Sequence, residues 1–336
     1  MTVPPASAPT GILVRPAAKE DAASAAFDDL LPDRWREGGN RRSLVAVDGV
    51  SGRLLGHCRG IDNEAHPGSR VLVLEVADDV AGSAVHEALL RAQVAVSVLP
   101  LHTKPRERDA ALLAALRAVG AVTIQLMPPW TRQVGPELRE WAGDVHAGPV
   151  PAPLQGRETS VVPADTVEPD ELLDLEVEHY VAQHAPWSPA APPEVLRPLL
   201  AEGHEPDSED SWDRRTSLAL TVEGVLTAAA LLFPEGEDEP PEVSLVSRPY
   251  SSESAWWAKR RLLAEVVTRL SDGDRFCADS HLSMREEYEL MRGVPGLADP
   301  EEGWTAIVAV PVADGPQPNP LDPALIPDAA AWAVLH

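Results

Sequence analysis

EVSLVSR (Glu242 to Arg248), PYSSESAW (Pro249 to Trp256) and WWAKRRLLAEVVTRL (Trp256 to Leu270) follow one another without a gap. The first alternates as a strand, the second interrupts it, and the third returns to helical spacing. Trp256, Leu263, Val266, Val267 and Leu270 fall three to four apart, with Lys259, Arg260 and Arg269 set among them, so a helix is predicted over 256–270. SDGD (Ser271 to Asp274) ends it, and RFCAD (Arg275 to Asp279) reads as a second short strand. SHLSMREEYELMRG (Ser280 to Gly293) reads as a helix stopped by Gly293 and Pro295.

Upstream, GILVRPA (Gly11 to Ala17) predicts a strand and KEDAASAAFDDLL (Lys19 to Leu31) a helix with acids in its first turn, where the helix dipole favours them. SLVAVDGV (Ser43 to Val50), RLLGHCRG (Arg53 to Gly60) and RVLVLEV (Arg70 to Val76) are divided by Asp-Gly, Ser-Gly and His-Pro-Gly, the punctuation of an antiparallel meander. Helices are predicted over 84–99 and 108–119, and a strand over 122–127. Residues 131–156 are dense in Pro and Gly near their end and read as a linker with one short helix. The pattern then restarts: TSVVPAD (Thr159 to Asp165) mirrors LVRPAA, and TSLALTVEGV (Thr216 to Val225) mirrors RSLVAVDGV, roughly 170 residues downstream. The second copy would close with WTAIVAVP (Trp304 to Pro311). It carries an insertion, 184–215, read as an extra helix and an acidic loop, whose Trp187 and Trp212 are candidates to line a substrate pocket.

This order of strand, loop, long helix, strand and tyrosine-bearing helix resembles the core of the GNAT acyltransferase superfamily. The resemblance implies an α/β (α+β) chain of two tandem GNAT-like domains, each a mixed, mostly antiparallel sheet flanked by helices. The expected division is a first domain over 1–130, a linker over 131–157, a second domain over 158–315 and a Pro-rich tail over 316–336. The implied activity is N-acyl transfer from acyl-CoA or acetyl-CoA to the amine of a small molecule or peptide, with the second domain the better candidate.

In such proteins the loop after the fourth strand carries Arg or Gln, two residues, Gly, one residue, then Gly or Ala, so that backbone amides approach a pyrophosphate at a helix start. The first copy has Ala81, Ala84 and His86 at those places, with Asp78, Asp79 and Glu87 nearby to repel a diphosphate. The second has Ser254, Trp257 and Lys259, so the glycines are gone, while Ser251, Ser252, Ser254, Lys259, Arg260 and Arg261 supply donors and positive charge. Val246, Ser247 and Arg248 on the preceding strand are the implied backbone contacts to the donor. Tyr288 in EYELMRG stands where the superfamily often places the acid that protonates the leaving thiolate, whereas the first copy has Leu116 there. Asp279 and His281 are candidates to deprotonate an amine, and Glu75 occupies the strand position of a base in the first copy.

A net charge of −25 argues against a generic polyanion binder. Cys58 and Cys277 are the only cysteines, neither a disulfide framework nor a zinc site, which suits the cytoplasm. No secretory signal and no membrane partner are expected, because no apolar run reaches ~20 residues. His179 and His184 are five apart, off a common helical face, and HExxH, CxxC, GxSxG and GxxxxGK[ST] are all missing, so no metal is expected. Two alternatives stay open at this point: a transferase of the same fold that takes its acyl group from aminoacyl-tRNA, and a non-catalytic module that binds a ligand or protein. The oligomeric state is not legible.

Overall fold

The computed structural model describes residues 11–18, 20–21, 42–205, 208, 210–235, 239–249, 252–278, 280–299, 303–327 and 335. The helix predicted over Lys19 to Leu31 lies outside them. The chain divides into two units, Met1–Leu126 with Trp304–His336, and Met127–Gly303.

The first unit begins with β1 (Ile12–Pro16), β2 (Arg42–Asp48), β3 (Leu54–Asp62) and β4 (Arg70–Val76), an antiparallel meander. The β2–β3 turn closes because Asp48 Oδ1 accepts from the Val50 and Ser51 N–H groups and Gly52 takes a φ of +73°. α1 (Ala84–Val96), β5 (Leu101–Thr103), α2 (Ala110–Ala118) and β6 (Val122–Met127) follow. Gly56 lets α1 approach β3: a Cβ there would stand 2.8 Å from the Glu75 carbonyl and 3.0 Å from Leu89 Cδ1.

In the second unit come β7 (Arg132–Gln133), α3 (Pro136–Ala147), β8 (Thr159–Pro163), α4 (Pro169–His184), α5 (Pro193–Ala201), β9 (Leu218–Val222) and β10 (Val225–Phe233). They are followed by β11 (Glu242–Ser247), α6 (Glu253–Arg269), β12 (Arg275–Phe276) and α7 (Arg285–Arg292). β8 to β11 form an antiparallel sheet in the order β11-β10-β9-β8. Its tightest turn is Glu223-Gly224, both at positive φ, as a two-residue hairpin demands. α6 starts where Ser252 Oγ accepts the Ala255 N–H, and buries Ala258, Leu262, Leu263, Val266 and Val267 with Leu220, Ala230 and Val243 of the sheet. α5 is the extra helix read in the insertion.

The architecture is therefore α/β with a mostly antiparallel seven-stranded sheet, an antiparallel four-stranded sheet, the two-stranded β7–β12 pair and flanking helices, but two boundaries differ from the sequence reading. The sequence pattern puts Trp304 to Pro311 in the second half. β13 (Thr305–Val310) instead enters the first unit's sheet, which runs β1-β2-β3-β4-β5-β13-β6, and pairs antiparallel with β5 through Val308↔Thr103 and Val310↔Leu101. Ala306 to Val310 are buried on successive, oppositely pointing positions, which suits an interior strand. An apolar run announces that burial without saying which sheet provides it. The expected linker, 131–157, is structured too. β7 pairs with β12, and α3 buries Leu138, Ala142 and Val145 in the second unit's core.

A fragment ending at residue 130, the boundary the sequence suggests, lacks the strand between β5 and β6. It is expected to show no cooperative thermal transition by circular dichroism, whereas the full chain does; a cooperative melt of the fragment would contradict this assignment of β13.

Candidate functional site

Every buried backbone N–H needs a partner, and β11 shows where its partners run out. One side pairs along its whole length with β10, from Phe233↔Glu242 to Ala228↔Ser247. The Arg248 N–H donates to Thr227 O, so by alternation Val243, Leu245 and Ser247 present their backbone groups to the opposite side. There, among the described residues, β12 reaches only the start of β11: Val243 N–H donates to Cys277 O at 2.7 Å, next to a parallel bridge between Glu242 and Cys277. Among the described residues no pairing of the two strands follows that bridge. At the far end, Ser247 N–H donates to Nδ1 of His179 on α4 at 3.2 Å.

Burial first, then the charge of Lys259, pushes the His179 pKa well below the usual histidine range, so the ring is neutral. Nδ1 also lies 3.4 Å from the Ser247 carbonyl oxygen. Further along α4, His184 stacks on Tyr180 with centroids 4.0 Å apart and lies 5.0 Å from Trp187, which meets His281 edge-on at 5.0 Å. Met284 Sδ approaches both His281 Nδ1, at 3.2 Å, and Gln183 Nε2, at 3.1 Å. An aromatic and imidazole wall thus joins α4 to the segment between β12 and α7. The spacing of five puts the two α4 histidines about 140° apart, one toward β11 and one toward this wall.

Tyr288 is half-buried on α7 and meets Trp130 edge-on at 6.1 Å, while Trp130 Nε1 donates to Ser280 O at 2.7 Å. Trp130 therefore ties the tyrosine helix to the segment that carries His281. Asp279 and Ser251 lie outside the described residues. Val246 is buried in the core, and Arg248 pairs with Glu178 at 2.6 Å.

The basic run behaves differently from expectation. α6 begins at Glu253, so Lys259, Arg260 and Arg261 lie in its second and third turns instead of opening it, and the electropositive helix start is occupied by Glu253 and Ser254. Each of the three side chains takes its own direction. Lys259 is buried and forms an ion pair with the equally buried Glu287 of α7, so it is not a phosphate ligand in this structure. Burial lowers its pKa, opposed by the Glu287 carboxylate. Arg260 lies over the Trp256 ring at 5.2 Å, and Arg261 reaches Glu265 and the His146 carbonyl. Trp212 also differs from its reading as a pocket wall. At 4% exposure it belongs to a core cluster, with Nε1 toward His204, which pairs with Glu176 at 2.6 Å. Large rings in an insertion say nothing of the side from which they are covered.

In the first unit the pairing of β4 with β5 likewise ends, among the described residues, at the parallel pairs Arg70↔Leu101 and Val71↔His102. Glu75, half-buried beyond that point, has Oε2 3.9 Å from Nδ1 of the buried His57. Asp78 and Asp79 precede α1, and Asp79 is paired with Arg53 at 2.6 Å. Carboxylates there oppose a diphosphate.

Neither a protein-family model nor a curated protein matches this sequence. Solved structures do. A GCN5-related N-acetyltransferase from Sphaerobacter thermophilus superposes with a TM-score of 0.52 at 12% identity, covering 92% of this chain and 99% of that one. A tandem GNAT protein from the clavulanic acid biosynthesis pathway gives 0.49 at 14%, covering 82% and 84%. A GCN5-related N-acetyltransferase from Kribbella flavida gives 0.43 at 19%, covering 81% and 60%. The fold assignment rests on the first of these: the chain has the GNAT fold.

Removing Glu287 takes its ion-pair carboxylate away from the buried Lys259 ammonium. Glu287→Ala is expected to cost about 3–5 kcal/mol in urea denaturation, whereas Lys259→Met with Glu287→Leu together should be near neutral. Equal losses in the single and double variants would show that the pair does not set the cost.

Proposed function

We propose that this chain is an N-acyltransferase whose second unit takes an acyl thioester of the acetyl-CoA type along β11 and transfers the acyl group to an amine. The observation that carries this reading is the end of β11–β12 pairing at the Glu242–Cys277 bridge, after which Leu245 turns its backbone groups to the side opposite β10, together with the His184–Trp187–His281 wall. Strand backbone is suited to a donor's amide chain, since it offers donors and acceptors at fixed spacing. Ser254 and Arg260 then stand on the helix that follows, and Arg248 at the strand's end.

The amine nitrogen attacks the thioester carbonyl carbon, the C–S bond breaks, and the departing thiolate takes the phenolic proton of Tyr288. His281, with Asp279, receives the proton released by the amine, and solvent returns it to the tyrosinate. The net charge of −25 favours the approach of cationic amines and disfavours a tRNA-borne donor. The first unit, with Asp78 and Asp79 before its helix, takes a structural part and holds Glu75 and His57 outside the reaction.

One observation favours a second reading, a non-catalytic binding module: the Ser247 N–H is already held by His179, so a donor must displace that bond. Thiol release from acetyl-CoA in the presence of a panel of amines separates the two. Under the enzymatic reading Tyr288→Phe lowers kcat by about 10²-fold or more with an unchanged melting temperature, as loss of a general acid does. Binding without thiol release for any amine would support the module instead, and unchanged turnover in Tyr288→Phe would return that residue to packing.

A further inference from the structure

At the opposite edge of the second unit's sheet from β11, a cavity of about 400 Å³ lies between β8, α6 and the end of α3. Its size falls in the range of small-molecule sites. Trp257, Arg261 and Glu265 line it from α6 at intervals of four, one stripe of the helix, while His146, Val150, Val161 and Leu220 complete the wall. None of it serves the reaction proposed above.

The polar groups here are of opposite sign and only partly used. Arg261 NH2 approaches Glu265 Oε1 at 3.3 Å and NH1 donates to the His146 carbonyl, leaving Arg261 Nε and Glu265 Oε2 without a partner among the described residues. His146 Nε2 is shielded from solvent without a hydrogen bond, 3.4 Å from Glu265 Oε1. Its imidazole is neutral, since burial and then the Arg261 charge lower its pKa. β8 adds backbone groups. Glu158 O accepts from Glu223 N–H and Ala164 N–H donates to Ser217 O, so the even positions face β9 and Thr159 and Val161 turn theirs to the free edge.

We propose that this cavity binds a free α-amino acid with an apolar, preferably aromatic, side chain. The carboxylate meets Arg261, the ammonium meets Glu265, and the side chain lies against the Trp257 indole and the Val161–Leu220 surface. A ligand with one charge is attracted by one member of the Arg261–Glu265 pair and repelled by the other, so the pair selects for a zwitterion. Adjacent opposite charges with an apolar body define the amino acid class, and an indole wall favours a second ring.

Calorimetric titration of the full chain with L-phenylalanine, phenethylamine and 3-phenylpropanoate tests this without altering the protein. L-Phenylalanine is expected to bind at least tenfold more tightly than either singly charged analogue. Arg261→Gln and Trp257→Ala should each weaken it at least tenfold. His281→Asn should leave it unchanged, which separates this site from amine binding in the cleft by β11, where His281 meets the amine. Equal affinity for the three probes, no binding of L-phenylalanine at millimolar concentration, or loss of binding in His281→Asn alone would overturn the proposal.

Discussion

The second unit depends on how β11 satisfies its outer edge. A buried strand cannot leave amides bare, yet β12 covers only the first residues, and the last exposed-edge amide, Ser247, is met by a histidine. That bond holds α4 against the strand, while burial and the Lys259 charge keep His179 neutral. The neutral ring in turn tolerates Lys259, whose charge is answered by Glu287 on α7. One backbone requirement thus links α4, β11, α6 and α7, the four elements around the candidate cleft.

Much of this was legible in the sequence where a pattern has a single physical reading. Alternation marked β2, β3, β4, β6, β8 and β11, and three-to-four spacing marked α1, α2 and α6, since both periods follow from backbone geometry alone. What was lost needed partners distant in the chain. WTAIVAVP is a buried strand by composition in any context, and only its pairing with Leu101–Thr103 assigns it to the first unit. LHT itself, three residues between Pro100 and Lys104, is too short to announce β5. The Pro and Gly between Gly148 and Gly156 make 131–157 read as a linker with one short helix, although they lie beyond the twelve-residue α3, which packs into the second unit's core.

The candidate site was legible in part for the same reason. Lys259 to Arg261 form a basic run in sequence, but a helix turns each residue by ~100°, so the three point to Glu287, Trp256 and Glu265. A one-dimensional charge cluster became three separate contacts. His179, His184 and Glu287 went unassigned because nothing local distinguishes a histidine on a strand edge, or a carboxylate opposite a buried lysine, from ordinary helix residues. Trp187 and His281, 94 residues apart, meet only through the fold.

Hydrogen exchange of the full chain with and without acetyl-CoA tests the central claim most directly, because it reads β11 and β4 separately. The account predicts increased protection at Leu245 to Ser247, where the donor replaces His179 at the strand edge, and no change at Val73 to Val76 of the first unit. Protection confined to Val73 to Val76, or to neither strand, would contradict it.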